Sequence, residues 1–158
     1  IDLCRPLAAQ IAAEAARAAD YWGVPDAKEL IELVQKTLEH PLLLRVRSAG
    51  RLFKELPFCY RLDSFLVEGV VDLLFQEGEE LVIVDYKTDA GGEEELERRW
   101  EHYRCQGCVY AAAMAEITGR PVKEVSFIFV RKGLVKSFFN PDPASLRRML
   151  RENINRAK

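Results

Sequence analysis

Residues 65–75, FLVEGVVDLLF, and 81–86, LVIVDY, are apolar on both of the alternating faces that a strand presents. Strands of this kind tolerate water on neither side, so a sheet containing them needs helices above and below. The rest of the chain supplies them. In the Ala-rich segment 3–20, Leu3, Leu7, Ile11, Ala15 and Ala18 recur at helical spacing. A second helix, with Asp26 as N-cap, places Leu30, Leu33, Val34 and Leu38 on one face and stops before Pro41. There His40 reads as a solvent-facing residue favoured by the helix C-terminus. Residues 52–60 read as a strand in which Pro57 marks an edge or a bulge, and the turn-like QEGEE joins the two apolar runs as a hairpin. A long helix is expected from 93 to 118, ended by Gly119 and Pro121. Strands follow at 122–130 and 134–139 around Lys132-Gly133, then a closing helix over 142–155 with Pro143 in its first turn. This order predicts an α/β fold with a central mixed, partly antiparallel sheet flanked by helices, in a single domain spanning 1–158.

Composition narrows the function classes. Apolar residues make up 49% of the chain and charged ones 30%, which supports a packed core and excludes a disordered polymer. The apolar runs are far too short for a bilayer, so no membrane partner is expected. Four cysteines in a chain that can build a core do not suggest a disulfide framework, and a reducing cytoplasm fits. Cys105 and Cys108, inside a helical pattern, read as small apolar residues. With 23 Lys and Arg against 25 Asp and Glu, bulk charge does not favour nucleic acid. Any such contact must come from local clusters: Arg45, Arg47 and Arg51; Arg98, Arg99 and Arg104; or Arg131, Lys132 and Lys136. The chain starts at Ile1 rather than Met, and is expected to be a segment of a longer polypeptide.

The residues that promise chemistry are Asp72, inside the first apolar run, and Asp85 with Lys87 at the end of the second. Strand alternation puts Asp85 and Lys87 on one face. If the two runs pair as a hairpin, Asp72 faces Asp85. Two desolvated carboxylates side by side repel unless a cation lies between them. A hard divalent ion such as Mg2+ answers that need, and Lys87 would orient a water or offset charge growing on a phosphate. Asp85 and Lys87 alone would read as a weak exposed pair at a strand end. Asp72, flanked by Val70, Val71, Leu73, Leu74 and Phe75, argues otherwise, because a lone charge there needs a partner.

Four strings carry a resemblance: KELPF at 54–58, GVVDLLF at 69–75, IVDYKT at 83–88 and QGCVY at 106–110. In order and separation they resemble the RecB-like branch of the PD-(D/E)XK nuclease superfamily, which implies a restriction-endonuclease-like core. The resemblance implies that Asp72 and Asp85 ligate the metal with the main-chain carbonyl of Tyr86, that Lys87 is the catalytic lysine and that Glu55 is an additional acidic group near the metal. Gln106 and Tyr110, four apart on one helix face, would support the site and the DNA backbone. The implied activity is Mg2+-dependent hydrolysis of DNA phosphodiesters, with Mn2+ as an alternative ion. It would be the exonuclease domain of a helicase-nuclease in double-strand break repair and recombination. The implied partners are DNA, a helicase domain of the same chain and a second helicase-nuclease subunit. No iron-sulfur cluster is expected, since no cysteine follows Cys108. The family's helix-borne histidine, often in a G-T-x-x-H context, has no counterpart; it is expected either upstream of Ile1 or to be lacking in this member, with His102, one turn before Gln106, as a weaker candidate. The competing reading is a catalytically inactive nuclease-like module for DNA binding or for assembly with another subunit, against which the joint presence of Asp72, Asp85 and Lys87 argues.

Overall fold

The computed structural model describes residues 8–23, 27–62, 65–88, 93–142, 148 and 152. Asp26, the expected cap, and nearly all of the expected closing helix lie outside them. The described order is α1 (Ala8–Trp22), α2 (Ala27–Leu38), α3 (Pro41–Val46), β1 (Leu52–Leu62), β2 (Phe65–Glu77), β3 (Glu80–Lys87), α4 (Glu93–Thr118), β4 (Val122–Phe129) and β5 (Leu134–Phe139), with a single 3-10 turn at Val130–Lys132 before β5. The strands form a five-stranded sheet in the order β1-β2-β3-β4-β5. β3 and β4 are parallel and the other neighbours antiparallel. The parallel step needs a crossover, and α4, 26 residues and about 39 Å long, provides it.

Each face of the sheet has its own core. On one, Ile83, Val125, Phe127 and Phe129 pack with Leu96, Tyr103, Ala112 and Met114 of α4. On the other, Leu73, Phe75, Val82, Val84 and Ile128 pack with Ile11, Leu38, Leu42, Leu43 and Val46. The α4 layer is close because Gly107 faces the sheet. A Cβ there would lie 2.8 Å from Val125 Cγ1 and 3.0 Å from Phe127 Cζ. Gly107→Ala is therefore expected to cost about 1–3 kcal/mol by forcing α4 off β4, a loss that chemical denaturation would measure.

Two local expectations change. His40 is not the end of the second helix: it caps α3, accepting a hydrogen bond at Nδ1 from the Leu42 amide at 3.2 Å. Pro41 starts that helix rather than ending the previous one, because a proline costs nothing in a first turn. The strand 65–75 is also not buried throughout. β3 pairs with β2 only from Leu73 to Glu77, so residues 65–71 are paired with β1 alone and project as a two-stranded ribbon. On this ribbon Leu66 is 63% and Val70 46% exposed, whereas residues 71 and 73–75 are buried.

Candidate metal and phosphodiester site

The site lies where β2 parts from β3. The ladder ends at Leu73 opposite Val84, one residue short of Asp72 and Asp85. Beyond it the Tyr86 amide has lost its strand partner, and Asp72 Oδ2 accepts its hydrogen at 2.8 Å. The N–H and C=O of one strand residue point to the same side, so the Tyr86 carbonyl faces the same gap. The Tyr86 ring points the other way, into an apolar cavity of about 220 Å3 with Val34, Leu38, Leu43 and Val130 on its walls. Burial first, then the Asp72 charge, pushes its phenol up to about 12.

Asp85 and Lys87 project from the α4 face of β3. Asp85 is only 3% exposed, and its Oδ2 lies 2.5 Å from Lys87 Nζ. That contact is an ion pair, and among the described residues the oxygen has no other partner. Burial pushes the Asp85 carboxyl above the usual range; Lys87 opposes the rise and the Asp72 charge adds to it. The Lys87 ammonium is held from three further directions. It donates to Gln106 Oε1 at 2.7 Å and lies 5.1 Å from the Tyr103 ring centroid and 5.6 Å from that of Phe127. Gln106 Nε2 in turn donates to the Tyr110 hydroxyl at 2.9 Å. Burial raises the Tyr110 pKa, the Gln106 hydrogen bond works against this, and Asp85 and Asp72 add to the rise.

The structure thus brings Asp72, Asp85, Tyr86, Lys87, Gln106 and Tyr110 together. Glu55 stands apart from this network. The pairs Lys54–Leu73 and Leu56–Val71 bracket it opposite Asp72, but it is exposed and its φ of +48° is one that a non-glycine residue rarely adopts. His102 is exposed, its ring 6.1 Å from that of Tyr103. Cys108 is buried with its thiol pushed up to about 11, mainly by burial, as befits a small apolar residue.

The donor set suits a hard divalent ion. Asp85 carries a buried oxygen whose one partner among the described residues is the Lys87 ammonium, Asp72 has its Oδ1 to offer, and the Tyr86 carbonyl is a third oxygen. Among the described residues no three His, Cys, Asp or Glu side chains converge as a cage. Two carboxylates and a carbonyl suit Mg2+, which keeps several waters.

Two features escaped the sequence reading. Tyr103, Gln106 and Tyr110 recur at helical spacing on one face, a signal that would have placed Tyr103 beside Lys87. The other is a polar network on the opposite face of the sheet. Arg45 forks onto Glu77 at 2.9 and 2.8 Å and reaches the buried Glu124 at 2.7 Å. Ser126 links Glu124 to Ser137, both at 2.7 Å. Arg45 is therefore committed to internal carboxylates and leaves the first cationic cluster. The other clusters are also partly spent: Arg99 pairs with Glu95 and Arg104 with Glu101, and Lys136 pairs with Glu97.

Similarity to known proteins agrees with this geometry. Three relatives are subunits of ATP-dependent helicase/nucleases. That of Clostridium acetobutylicum is 33% identical over 104 residues, 66% of this chain and 8% of that protein. That of Thermoanaerobacter sp. is 34% identical over 93 residues, 58% and 8%. That of Carboxydothermus hydrogenoformans is 31% identical over 121 residues, 67% and 10%. The chain thus spans about a tenth or less of the length of these relatives. Among the described residues no helix is long and apolar enough to cross a membrane. The family model of the PD-(D/E)XK nuclease superfamily matches residues 2–157, and the chain belongs to that superfamily.

Proposed function

We propose that the chain hydrolyses DNA phosphodiesters with a divalent metal, Mg2+ or alternatively Mn2+, as the exonuclease domain of a helicase-nuclease. The observation that carries this reading is the convergence of Asp72, Asp85 and Lys87 at the open end of the β2–β3 ladder, with a buried Asp85 oxygen that has no partner but Lys87 among the described residues. Asp72, Asp85 and the Tyr86 carbonyl would hold the ion. When bound, it supplies Lewis-acid polarisation of the scissile phosphate and lowers the pKa of a coordinated water.

The chain's own residues do the rest. Asp85 and Asp72 set the negative field that selects a divalent cation, and Asp72 stays oriented because it accepts from the Tyr86 amide. The Lys87 ammonium, held by Gln106 and by two aromatic faces, is preorganised to stabilise charge that grows on the phosphate oxygens. Glu55 is proposed as an acidic group at the rim of the same gap. The relatives' name pairs a helicase with a nuclease. That pairing supports three partners in cytoplasmic break repair and recombination: DNA, a helicase domain of the same chain and a second helicase-nuclease subunit. With few unpaired basic clusters, the domain's own hold on DNA is expected to be weak and salt-sensitive.

The test joins calorimetry to cleavage. Titration of Mg2+ into the protein is expected to give saturable heat that Asp72→Ala abolishes, and the protein with Mg2+ is expected to degrade linear single- or double-stranded DNA. Binding of Mg2+ by Asp72→Ala as tightly as by the parent would refute the ligand assignment.

A further inference from the structure

The contacts that hold Lys87 do not end at Gln106. Lys87 has only donors, so it needs the oxygen end of the Gln106 amide. The nitrogen end is then left to donate to the Tyr110 hydroxyl at 2.9 Å, and that bond anchors the amide in place. The place of the Tyr110 ring is set in turn from β1: the Phe58 ring meets it edge to face, 5.5 Å between centroids at 82°. Phe58 lies directly opposite Gly69 in the β1–β2 ladder, and its ring occupies the space a side chain at 69 would need. A Cβ on Gly69 would come 2.8 Å from Phe58 Cε1 and Cζ, and 3.4 Å from Tyr110 Cε1.

We infer that Phe58, seated on Gly69, is a positioning residue for Lys87, acting through Tyr110 and Gln106. Lysine has a flexible four-carbon stem, and a single ion pair does not fix the direction of its ammonium. The chain of contacts from the ribbon to α4 and back to β3 does so. It also gives the glycine three residues before Asp72 a physical reason, the close approach of an aromatic ring. Phe58 touches neither substrate nor metal ligand in this scheme. Only the kinetic part of the inference rests on the nuclease reading.

The test compares Phe58→Leu, Tyr110→Phe, Gly69→Ala and the double variant Gly69→Ala/Phe58→Leu. The first readout is the proton shift of the Lys87 Cε methylene, which the Tyr103 and Phe127 rings displace; loss of one lysine signal in Lys87→Met identifies it. Phe58→Leu and Tyr110→Phe are expected to move that signal toward the position of an exposed lysine. They are also expected to lower kcat for DNA cleavage by about 10- to 100-fold, with KM changed less than about twofold. Gly69→Ala is expected to be less stable, and the double variant to recover that stability, because leucine can retreat from the new methyl, without recovering the Lys87 signal. An unmoved Lys87 signal in folded Phe58→Leu and Tyr110→Phe would overturn the inference, as would a double variant with a parental Lys87 signal. If the parent protein cleaves no DNA, the nuclease reading fails, and the Lys87 signal alone still decides this one.

Discussion

Lys87→Ala is expected to lower Mg2+-dependent DNA hydrolysis by about 10^3-fold in kcat, with the protein still folded. The lysine side chain is only 15% exposed, and its ammonium rests among Asp85, Gln106, Tyr103 and Phe127. A cation so fixed costs no reorganisation when charge develops beside it, which is where most of its effect arises. The substitution also leaves Asp85 buried without its counter-charge, and this provides a second readout. Burial already raises the Asp85 carboxyl, with Lys87 restraining the rise. A raised native pKa favours the protonated form, so the associated stability is present at low pH and lost as pH rises through that pKa. Lys87→Ala should therefore be destabilised most at neutral pH and least in acid, and Mg2+ should raise its melting temperature more than that of the parent. Thermal melts with and without Mg2+, beside a gel assay of linear DNA, test both halves. Cleavage by Lys87→Ala at the parental rate would remove the lysine from the mechanism.

Arg45→Met is expected to destabilise the fold by about 3–5 kcal/mol at pH 7, the cost of stranding a buried charge. Glu124 is 4% exposed, and Arg45 Nη1 lies 2.7 Å from its carboxylate. Chiefly through the Arg45 hydrogen bond, and despite burial, Glu77 is held down to about 2 from 4.5. A lowered native pKa contributes stability that is present above the ordinary value and lost as pH falls from about 4.5 toward about 2. Arg45→Met loses the Arg45 share of that contribution, while Lys123, 2.9 Å from the same carboxylate, keeps the remainder, so the gap between the two proteins should narrow in this acid range. Urea denaturation at pH 7 and pH 3 measures it. A gap under about 1 kcal/mol at pH 7, or one that does not change with pH, would show that the network contributes little. DNA affinity should change little, because these contacts lie on the sheet face opposite α4.

Local signals in the chain carried much of the architecture. Residues 93–118 form the long helix with the bounds that Gly119 and Pro121 imply, and the hairpin of β2 and β3 follows from two apolar runs around a polar turn. α3 was not legible because Pro41 is equally good as the end of one helix and the first residue of the next. Asp72, Asp85 and Lys87 stand out in the sequence because charges within apolar strands demand partners. Gln106 and Tyr110 were found through motif resemblance. The part of Phe58 and Gly69 was not, since it depends on which strand lies beside which.

By itself, then, the sequence determined the element types, the need for a doubly covered sheet and the identity of the charged residues that such a sheet exposes to chemistry. These follow from periodicity and from the cost of burying charge, both properties of short stretches of chain. Only the tertiary structure decided where the β2–β3 ladder stops, that Asp72 bonds the Tyr86 amide there, that Lys87 is braced from α4 and that Arg45 serves Glu77 and Glu124 rather than the surface. The last pair of the ladder is 11 positions apart and the side-chain contacts join residues 14 to 79 positions apart, and such pairings arise from tertiary packing, which no local pattern encodes.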